Sequence, residues 1–275
     1  MGAAVIVATY QDPHGLELCL EGLARQTVMP DEIAIADDGS GEETRTLVNQ
    51  WQERLPCPVH HLWHPDEGNR KAAISNKAVA ATTAKELLFI DGDSIPHSRW
   101  VADHLQAASG GEVRCGRRVK LGPTLSPRVD VHMVAEGKLE SIVGPVLYSA
   151  LSGDTKRFFL GMRLPACLTR AIHRRPRRLM GVNFGVSRTA FEAINGYDME
   201  WNFRRQDRDL DLRLGRAGFK FVALLNRAVV YHRFHGETPF SEEVEARIEQ
   251  ERQSRRVRCV VGLDSCDPQS PVIGN

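Results

Sequence analysis

Short apolar, β-prone runs alternate with helical stretches four times within about the first 95 residues. In the first helical stretch Leu16, Cys19, Leu20 and Leu23 recur at the i, i+3, i+4, i+7 spacing of an amphipathic helix. The apolar runs are short enough to be buried strands, at about 4–8, 32–36, 58–62 and 87–90. This alternation predicts an α/β fold whose mostly parallel sheet carries helices on both faces.

Polar residues follow three of these strands directly. Thr9-Tyr10 follows the first strand, Asp37-Asp38 the second and Asp91-Gly92-Asp93 the fourth. Open α/β sheets bind ligands at the carboxyl ends of their strands. We therefore expect the three motifs to converge on one crevice, with two carboxylates one residue apart that suit a divalent cation.

The later part of the chain is less regular. Between about 121 and 180 the sequence predicts only helices and loops, without firm bounds. Beyond it we expect a strand at 181–186, a helix capped by Ser187 and ended by Gly196, and a second helix at 207–217 stopped by Gly218. Two strand-like runs follow at 219–224 and 228–231, and then a helix and a loose tail after about 240.

Composition excludes several classes of protein. The formal net charge is +1, which gives no overall attraction for nucleic acid. No apolar stretch reaches the roughly 18–20 residues of a membrane span, and the N-terminus lacks the pattern of a signal peptide. We expect a cytoplasmic protein whose six cysteines, without CxxC spacing, are free thiols. A Cys259–Cys266 pair in the tail is the alternative.

The stretch from Lys156 to Arg178 contains eight Lys or Arg residues and no Asp or Glu. Its densest part is Arg174-Arg175-Pro176-Arg177-Arg178. A charge run of this kind is either a solvated loop or a contact for phosphates, on a lipid-linked acceptor or an anionic membrane surface. The latter would place the protein peripherally at the inner face of the membrane.

Several motifs together are typical of one enzyme family. They are Val5-Ile6-Val7-Ala8-Thr9-Tyr10, Gln26-Thr27 before Pro30-Asp31-Glu32, Asp37-Asp38-Gly39-Ser40, Asp91-Gly92-Asp93, and Asn183-Phe184-Gly185 with Gln206-Asp207-Arg208-Asp209-Leu210. In their order and spacing, over residues 3 to about 237, the sequence resembles glycosyltransferase family 2, the inverting enzymes of the GT-A fold. Within that family it is most similar to bacterial enzymes of lipopolysaccharide or capsule synthesis.

The resemblance implies a Rossmann-like, mostly parallel mixed sheet with a helical C-terminal extension on the acceptor side. Residues 1–110 would bind the nucleotide-sugar, 111–240 would form the acceptor-binding and catalytic half of the same domain, and 241–275 a helical or loose tail. The implied reaction moves a sugar from a nucleoside-diphosphate sugar, UDP-sugars first, to a hydroxyl of a glycan or lipid-linked acceptor. It needs a divalent metal, Mn²⁺ or Mg²⁺.

Donor binding is implied for the residues after the first two strands and for a few others. Carboxylates there accept hydrogen bonds from the base or ribose, although Asp37-Asp38-Gly39-Ser40 also suits a turn with a helix cap. Arg70 and Lys71 would meet the diphosphate, or else begin a solvated helix. The implied donor-site residues are Ala8, Thr9, Tyr10, Asp37, Asp38, Arg70, Lys71, Asp91, Asn183 and Gln206, with Asn183 lining the donor-sugar or acceptor pocket.

The metal is implied to bind Asp93 directly, while Asp91 touches the ribose or a metal-bound water. His235, or else His232, would complete the shell, since a residue near this point does so in related enzymes. Imidazole ligands favour Mn²⁺ over Mg²⁺. Either histidine could instead simply pack. His60, His61 and His64 are interpreted as structural.

The general base is implied to be Asp207. The family's Glu-Asp pair reads Gln206-Asp207 here, and 201–205 replaces the Trp-Gly-rich run that often precedes it. A helix N-terminus stabilises the anionic form and so weakens a carboxylate as a base. The nearby acids Asp209 and Asp211 would offset that effect. The same residue also suits a helix cap.

Two other functions remain open. A nucleotidyltransferase of the same fold would need a glycine-rich, basic loop after the first strand, and Thr9-Tyr10-Gln11-Asp12-Pro13 is not one. A degenerate domain that binds nucleotide or glycan without turnover is supported only by Gln206 in place of Glu.

Overall fold

A computed structural model of the protein describes residues 2–108, 110–141, 143–165, 167–169, 178–201, 205–236 and 242–266. Its strands are β1 (Ala3–Thr9), β2 (Glu32–Asp37), β3 (Val59–Trp63), β4 (Glu86–Asp91), β5 (Ser94–Pro96), β6 (Val113–Cys115), β7 (Arg118–Lys120), β8 (Asn183–Ser187), β9 (Phe221–Ala223) and β10 (Val230–His232). Its helices are α1 (Pro13–Ala24), α2 (Glu42–Arg54), α3 (Lys71–Ala80), α4 (Trp100–Gln106), α5 (Val131–Ala135), α6 (Pro145–Leu151), α7 (Arg188–Ala193), α8 (Gln206–Arg216) and α9 (Glu242–Ser254).

The main sheet has seven strands in the order β3-β2-β1-β4-β8-β6-β9. Strands β3, β2, β1 and β4 pair in parallel. Strand β8 is antiparallel to both β4 and β6, while β6 and β9 pair in parallel. The sheet is therefore mixed and mostly parallel, as predicted, and β8 joins the two halves of the chain into one continuous layer.

Alternation along each strand places one hydrophobic cluster on each face of this sheet. In β1, Ile6 belongs to one cluster, while Val5 and Val7 belong to the other. The first cluster lies under α3, α7 and α8, and the second under α1, α2 and α4. Full burial of one large apolar side chain contributes about 1.5–3 kcal/mol, so the two clusters account for much of the stability of the layer.

A second, three-stranded sheet in the order β5-β10-β7 packs beside the main one. Strand β10 is antiparallel to β5 and parallel to β7. A third hydrophobic cluster, which includes Val119 and Tyr231, covers one face of this small sheet together with α5 and α6. The sequence did not predict β5 or β7, because three-residue strands are too short to show a period.

Most of the predicted helix ends are confirmed. The Ser187 hydroxyl accepts a hydrogen bond from the Ala190 amide and caps α7. Gly196 and Gly218 follow α7 and α8 with φ of +67° and +85°, a backbone conformation that glycine adopts without strain. The helix expected after residue 240 is α9.

All six cysteines are free, so Cys259 and Cys266 form no disulfide. Among the described residues, no helix is both long and apolar enough to cross a membrane. The tail after 266 and most of the basic run Arg174–Arg178 lie outside the described residues.

Candidate active site

A cavity of about 780 Å³ opens at the carboxyl ends of β1, β2 and β4. It brings together most of the residues that the sequence predicted for donor, metal and base. Those that line it are Ala8, Thr9, Tyr10, Asp38, Lys71, Asp91, Asp93, Gln206, Asp207, His232 and His235. The expectation of a shared crevice is therefore confirmed.

The small sheet places Asp93 beside the two histidines. His232 at the end of β10 pairs with Ser94 at the start of β5, so Asp93 lies just beyond the pairing, and the Arg233 amide donates to the Asp93 carbonyl at 3.0 Å. The Nε2 atoms of His232 and His235 each lie 3.5 Å from Asp93 Oδ2. The three side chains thus offer ligand atoms within 4.8 Å of one another.

The hydrogen bonds of both histidines fit metal binding. His232 Nδ1 lies 2.7 Å from the Arg233 carbonyl, and His235 Nδ1 lies 3.1 Å from the Gly236 carbonyl. A carbonyl only accepts, so each Nδ1 carries a proton, and Nε2 is the ring atom of each histidine that faces Asp93 and is available to a metal ion. Burial lowers the pKa of His232 and outweighs Asp93, which acts in the opposite direction. One carboxylate with two neutral imidazoles suits Mn²⁺ better than Mg²⁺.

Asp91 pairs with a lysine and does not join the histidines around Asp93. The Lys71 ammonium lies 2.5 Å from its Oδ1, and Asp91 is not part of the three-residue group around Asp93. Burial opposes ionisation of Asp91, but the neighbouring Lys71 outweighs it and holds the pKa of Asp91 below its ordinary value. Lys71 in turn has a raised pKa, because Asp91 more than offsets its burial.

The opposite wall carries the side chains predicted to hold the nucleotide. Asp38 lines the cavity, with Oδ1 at 2.7 Å from His64 Nε2 and Oδ2 accepting from the Arg70 amide at 3.1 Å. Tyr10 is 53% exposed, and its hydroxyl donates to Asp66 at 2.9 Å. His64 therefore orients Asp38, which agrees with its interpretation as structural.

Asp37 does not line the cavity. It is fully buried beneath the turn, where it accepts from the Ser40 amide at 2.8 Å and contacts His61 Nε2 at 3.0 Å. The turn interpretation is confirmed for Asp37, and its predicted contact with nucleotide is wrong, because its side chain points beneath the turn. His61 has the structural role that we expected.

Asn183 is also outside the cavity, and its predicted lining role is wrong. Its side chain is fully buried and its amide oxygen accepts from the Trp100 indole at 3.0 Å. Its amide nitrogen donates to the Arg117 and Ala228 carbonyls. The amide joins β8 to neighbouring segments, so its polarity serves internal hydrogen bonding.

The Arg70 side chain also lies outside the cavity lining. Its guanidinium donates to the Pro65 carbonyl at 2.6 Å and pairs with Glu67 at 2.8 Å, away from the cavity lining. The Arg70 side chain therefore makes its contacts outside the cavity, and its contact with a diphosphate stays a prediction. Only its backbone amide, bound to Asp38, belongs to the site.

Helix α8 brings Asp207 to the cavity at its first turn. The Asp207 carboxylate accepts from the Gly181 amide at 3.3 Å, and Gln206 Nε2 donates to Asn69 Oδ1 at 3.0 Å. The charge of Asp209, which was expected to act on Asp207, is matched by the buried Arg213 guanidinium at 2.5 Å. Asp211 accepts from the Leu179 amide.

Sequence reasoning missed several charged residues of the cavity. Asp12, Arg118, Arg208 and Arg233 all line it, and Arg233 pairs with Asp12 at 2.6 Å. Arg233 stands between the two predicted ligands in His232-Arg233-Phe234-His235, which was a usable signal. Arg118 had none, because its strand was not recognised.

Comparison with known proteins agrees with this geometry. The family model for Glycosyl transferase family 2 matches residues 4–159. The chain is 31% identical over 109 residues to validoxylamine A glucosyltransferase from Streptomyces hygroscopicus subsp. limoneus, covering 39% of this chain and 24% of that protein. It is 25% identical over 236 residues to an N-acetylglucosaminyl-diphospho-decaprenol L-rhamnosyltransferase from Mycobacterium tuberculosis, covering 84% and 76%.

Solved structures show the same fold. The mannosyltransferase PcManGT from Pyrobaculum calidifontis, in complex with GDP-Man and Mn²⁺, superposes with a TM-score of 0.55 at 17% identity, over 90% of this chain and 60% of that one. S. aureus TarS 1-349 in complex with UDP gives a TM-score of 0.57 at 14% identity, over 96% and 68%.

The fold is that of the GT-A α/β domains. The chain belongs to glycosyl transferase family 2. It spans less than half the length of the first curated relatives that it matches, 24% and 43% of two of them.

Proposed function

We propose that this protein is a metal-dependent, inverting glycosyltransferase that moves a sugar from a nucleoside-diphosphate sugar to an acceptor hydroxyl. The observation that carries the proposal is the shared cavity, which is lined both by the Asp93, His232 and His235 group and by Asp207. Sugar transfer needs a held diphosphate and a base for the acceptor, and these residues would serve both needs.

In this mechanism Asp93, His232 and His235 would hold the divalent ion, which would supply Lewis-acid chemistry at the diphosphate when bound. Asp207 takes the proton of the acceptor hydroxyl. The oxygen then attacks the anomeric carbon from the face opposite the leaving diphosphate, so the configuration inverts without a covalent sugar–enzyme intermediate. The Gly181 amide bonded to Asp207 restricts the orientation of that base.

For the donor we propose a UDP-sugar first. Asp38 and Tyr10 stand where the base and ribose would lie, and Thr9 and Ala8 complete that wall. The two structural neighbours were solved with GDP-Man and with UDP, so GDP-sugars form the second set to try.

For the acceptor we propose a glycan or lipid-linked hydroxyl in cell-surface polysaccharide synthesis, such as lipopolysaccharide or capsule. Support comes from the mycobacterial relative, whose name specifies an N-acetylglucosaminyl-diphospho-decaprenol acceptor. A lipid-linked acceptor would require the enzyme to work at a membrane surface, at its cytoplasmic face.

Peripheral membrane contact forms part of this proposal. Six of the twelve exposed large apolar side chains recorded for the described residues fall between 143 and 168; they are Val143, Tyr148, Leu151, Phe159, Met162 and Leu168. Lys156 and Arg157 are exposed among them, and the basic run Arg174–Arg178 follows in the sequence. Apolar side chains with cations suit an anionic lipid surface.

Vesicle co-sedimentation tests this contact. Replacing both Leu151 and Phe159 by Ser should lower binding to anionic vesicles about tenfold, since each apolar side chain contributes on the order of 1 kcal/mol or more when buried. Val260→Ser is the matched control, because Val260 is as exposed as Leu151, at 76%, and lies elsewhere. The contact would be contradicted if binding depended neither on the negative charge of the vesicles nor on the double substitution of Leu151 and Phe159.

The enzyme reaction is tested with a panel of UDP- and GDP-sugars in Mn²⁺, Mg²⁺ or EDTA. We expect one donor to be bound and slowly hydrolysed in Mn²⁺, and not to be hydrolysed in EDTA. Turnover should become faster once the acceptor is present. Absence of metal-dependent binding for every nucleotide would reject the proposal. Tight binding without turnover on any acceptor would favour the degenerate domain, for which Gln206 in place of Glu is the supporting feature.

A further inference from the structure

Arg118 lies on β7, on the side of β10 that is opposite to Asp93. The strand register pairs Arg118 with Val230 and Lys120 with His232. Side chains two residues apart share a face of a strand, and paired residues of neighbouring strands share that face. Arg118 therefore projects from the same face as His232, and its side chain lines the cavity. Val119 points the other way, into the third hydrophobic cluster.

Arg118 differs from Lys71 and Arg233 in having no acidic partner. Lys71 is paired with Asp91, and Arg233 with Asp12. Within the described residues, no acidic side chain forms an ion pair with Arg118, and its Nε is buried without a hydrogen-bond partner. A buried donor left without a partner costs about 1–3 kcal/mol, which a ligand oxygen in the cavity would offset.

The charge balance of the site identifies the kind of ligand. The charged side chains that line the cavity cancel formally, with five basic residues (Lys71, Arg118, Arg205, Arg208 and Arg233) against five acidic ones (Asp12, Asp38, Asp91, Asp93 and Asp207). Burial raises the pKa of Asp91 and Lys71 lowers it, while burial is the main cause that lowers the pKa of His232. The Arg118 guanidinium is a smaller cause that lowers the pKa of both groups. With the ion in place, the site carries excess positive charge, which suits a ligand with more than one phosphate.

We infer that Arg118 binds a phosphate oxygen of the donor's diphosphate and retains it as the leaving group, an assignment that rests on the proposed function. The guanidinium fork matches phosphate oxygens with two parallel hydrogen bonds. Its place on the strand next to His232 puts it within the cavity that the metal-bound diphosphate would occupy. A phosphate on a lipid-linked acceptor has the same chemistry and is the competing source.

The inference replaces an expectation from the sequence. Arg70 and Lys71 were expected to meet the diphosphate, but the Arg70 side chain is outside the cavity and Lys71 already binds Asp91. Arg118 lines the cavity from the strand next to His232 and is assigned this task in their place.

Calorimetric titration of the full chain with UDP, or with GDP if only GDP binds, tests the assignment in the presence of Mn²⁺ and without acceptor. Arg118→Gln should weaken nucleoside-diphosphate binding at least about tenfold. Arg118→Lys keeps the charge without the fork and should give an intermediate loss. The affinity for Mn²⁺ alone should not fall. Arg117→Gln is the matched control, since that neighbouring side chain binds the Gly116 and Arg178 carbonyls and does not line the cavity.

The outcomes are distinct. Equal diphosphate binding by the wild type and both Arg118 variants would overturn the inference, and a raised KM for acceptor alone in those variants would assign the phosphate to the acceptor. Failure of the wild type to bind either nucleotide with Mn²⁺ would instead reject the proposed function. A thermal melt matching the wild type shows that the variants are folded.

Discussion

Replacing Asp207 by Asn is expected to lower kcat by about 10²–10⁴-fold, the usual contribution of a positioned general base. Asparagine keeps the size of the side chain and an oxygen that can accept from the Gly181 amide, so the loss reflects basicity and not position. Nucleoside-diphosphate binding with Mn²⁺ should stay within about twofold of wild type, since Asp207 acts on the acceptor in this mechanism. Steady-state kinetics and calorimetry measure the two quantities.

Asp130→Asn provides the matched control for that change. Asp130 also stands at the start of a helix and accepts a backbone hydrogen bond, from the Met133 amide at 2.7 Å, but it does not line the cavity. Its kcat should match the wild type. Full activity in Asp207→Asn would show that Asp207 is only a helix-start carboxylate and that another group takes the proton.

Replacing Asp93 by Ala is expected to abolish the Mn²⁺-dependent part of nucleotide binding. Asp93 is the anionic member of the three-residue group, and both imidazole Nε2 atoms converge on its Oδ2. A metal acting on a phosphoryl oxygen is worth several kcal/mol, so turnover should fall at least about 100-fold. In EDTA the variant and the wild type should bind the nucleoside diphosphate equally weakly.

The measurement is a titration of Mn²⁺ with nucleotide present, followed calorimetrically. Asp264→Ala serves as the control, because Asp264 pairs with Arg258 at the surface and does not line the cavity. Metal-dependent binding that persists in Asp93→Ala would remove the proposed metal group, even if the transferase activity itself survived.

The strands that end at Thr9, Asp37 and Asp91 could be predicted from the sequence, because each is an apolar run followed by polar residues. Parallel pairing of β1, β2 and β4 then brings those ends to one edge as a matter of topology. Asp207 was implied by the family resemblance, through Gln206-Asp207 in place of the family's Glu-Asp pair. These features depend on residues that are close together in the chain, so a single sequence is enough to show them.

Side-chain direction was the main source of error. Asp37 and Asp38 are neighbours in the chain, yet one is buried against His61 and the other faces the cavity. Asn183 was expected to line the donor-sugar or acceptor pocket, but its buried amide bonds to Trp100, Arg117 and Ala228. A strand end places a residue at the crevice without deciding whether its side chain enters it.

What the sequence by itself determined, then, is the order of elements, the family resemblance and the acidic residues at the strand ends, since apolar periodicity and short motifs encode these directly. Only the tertiary structure decided the partners: it joined β5, β7 and β10 into the small sheet that brings Asp93, His232 and Arg118 to one cavity. Those strands have three residues each and come from distant parts of the chain. Their pairing depends on long-range packing around Val119 and Tyr231, which no local pattern records.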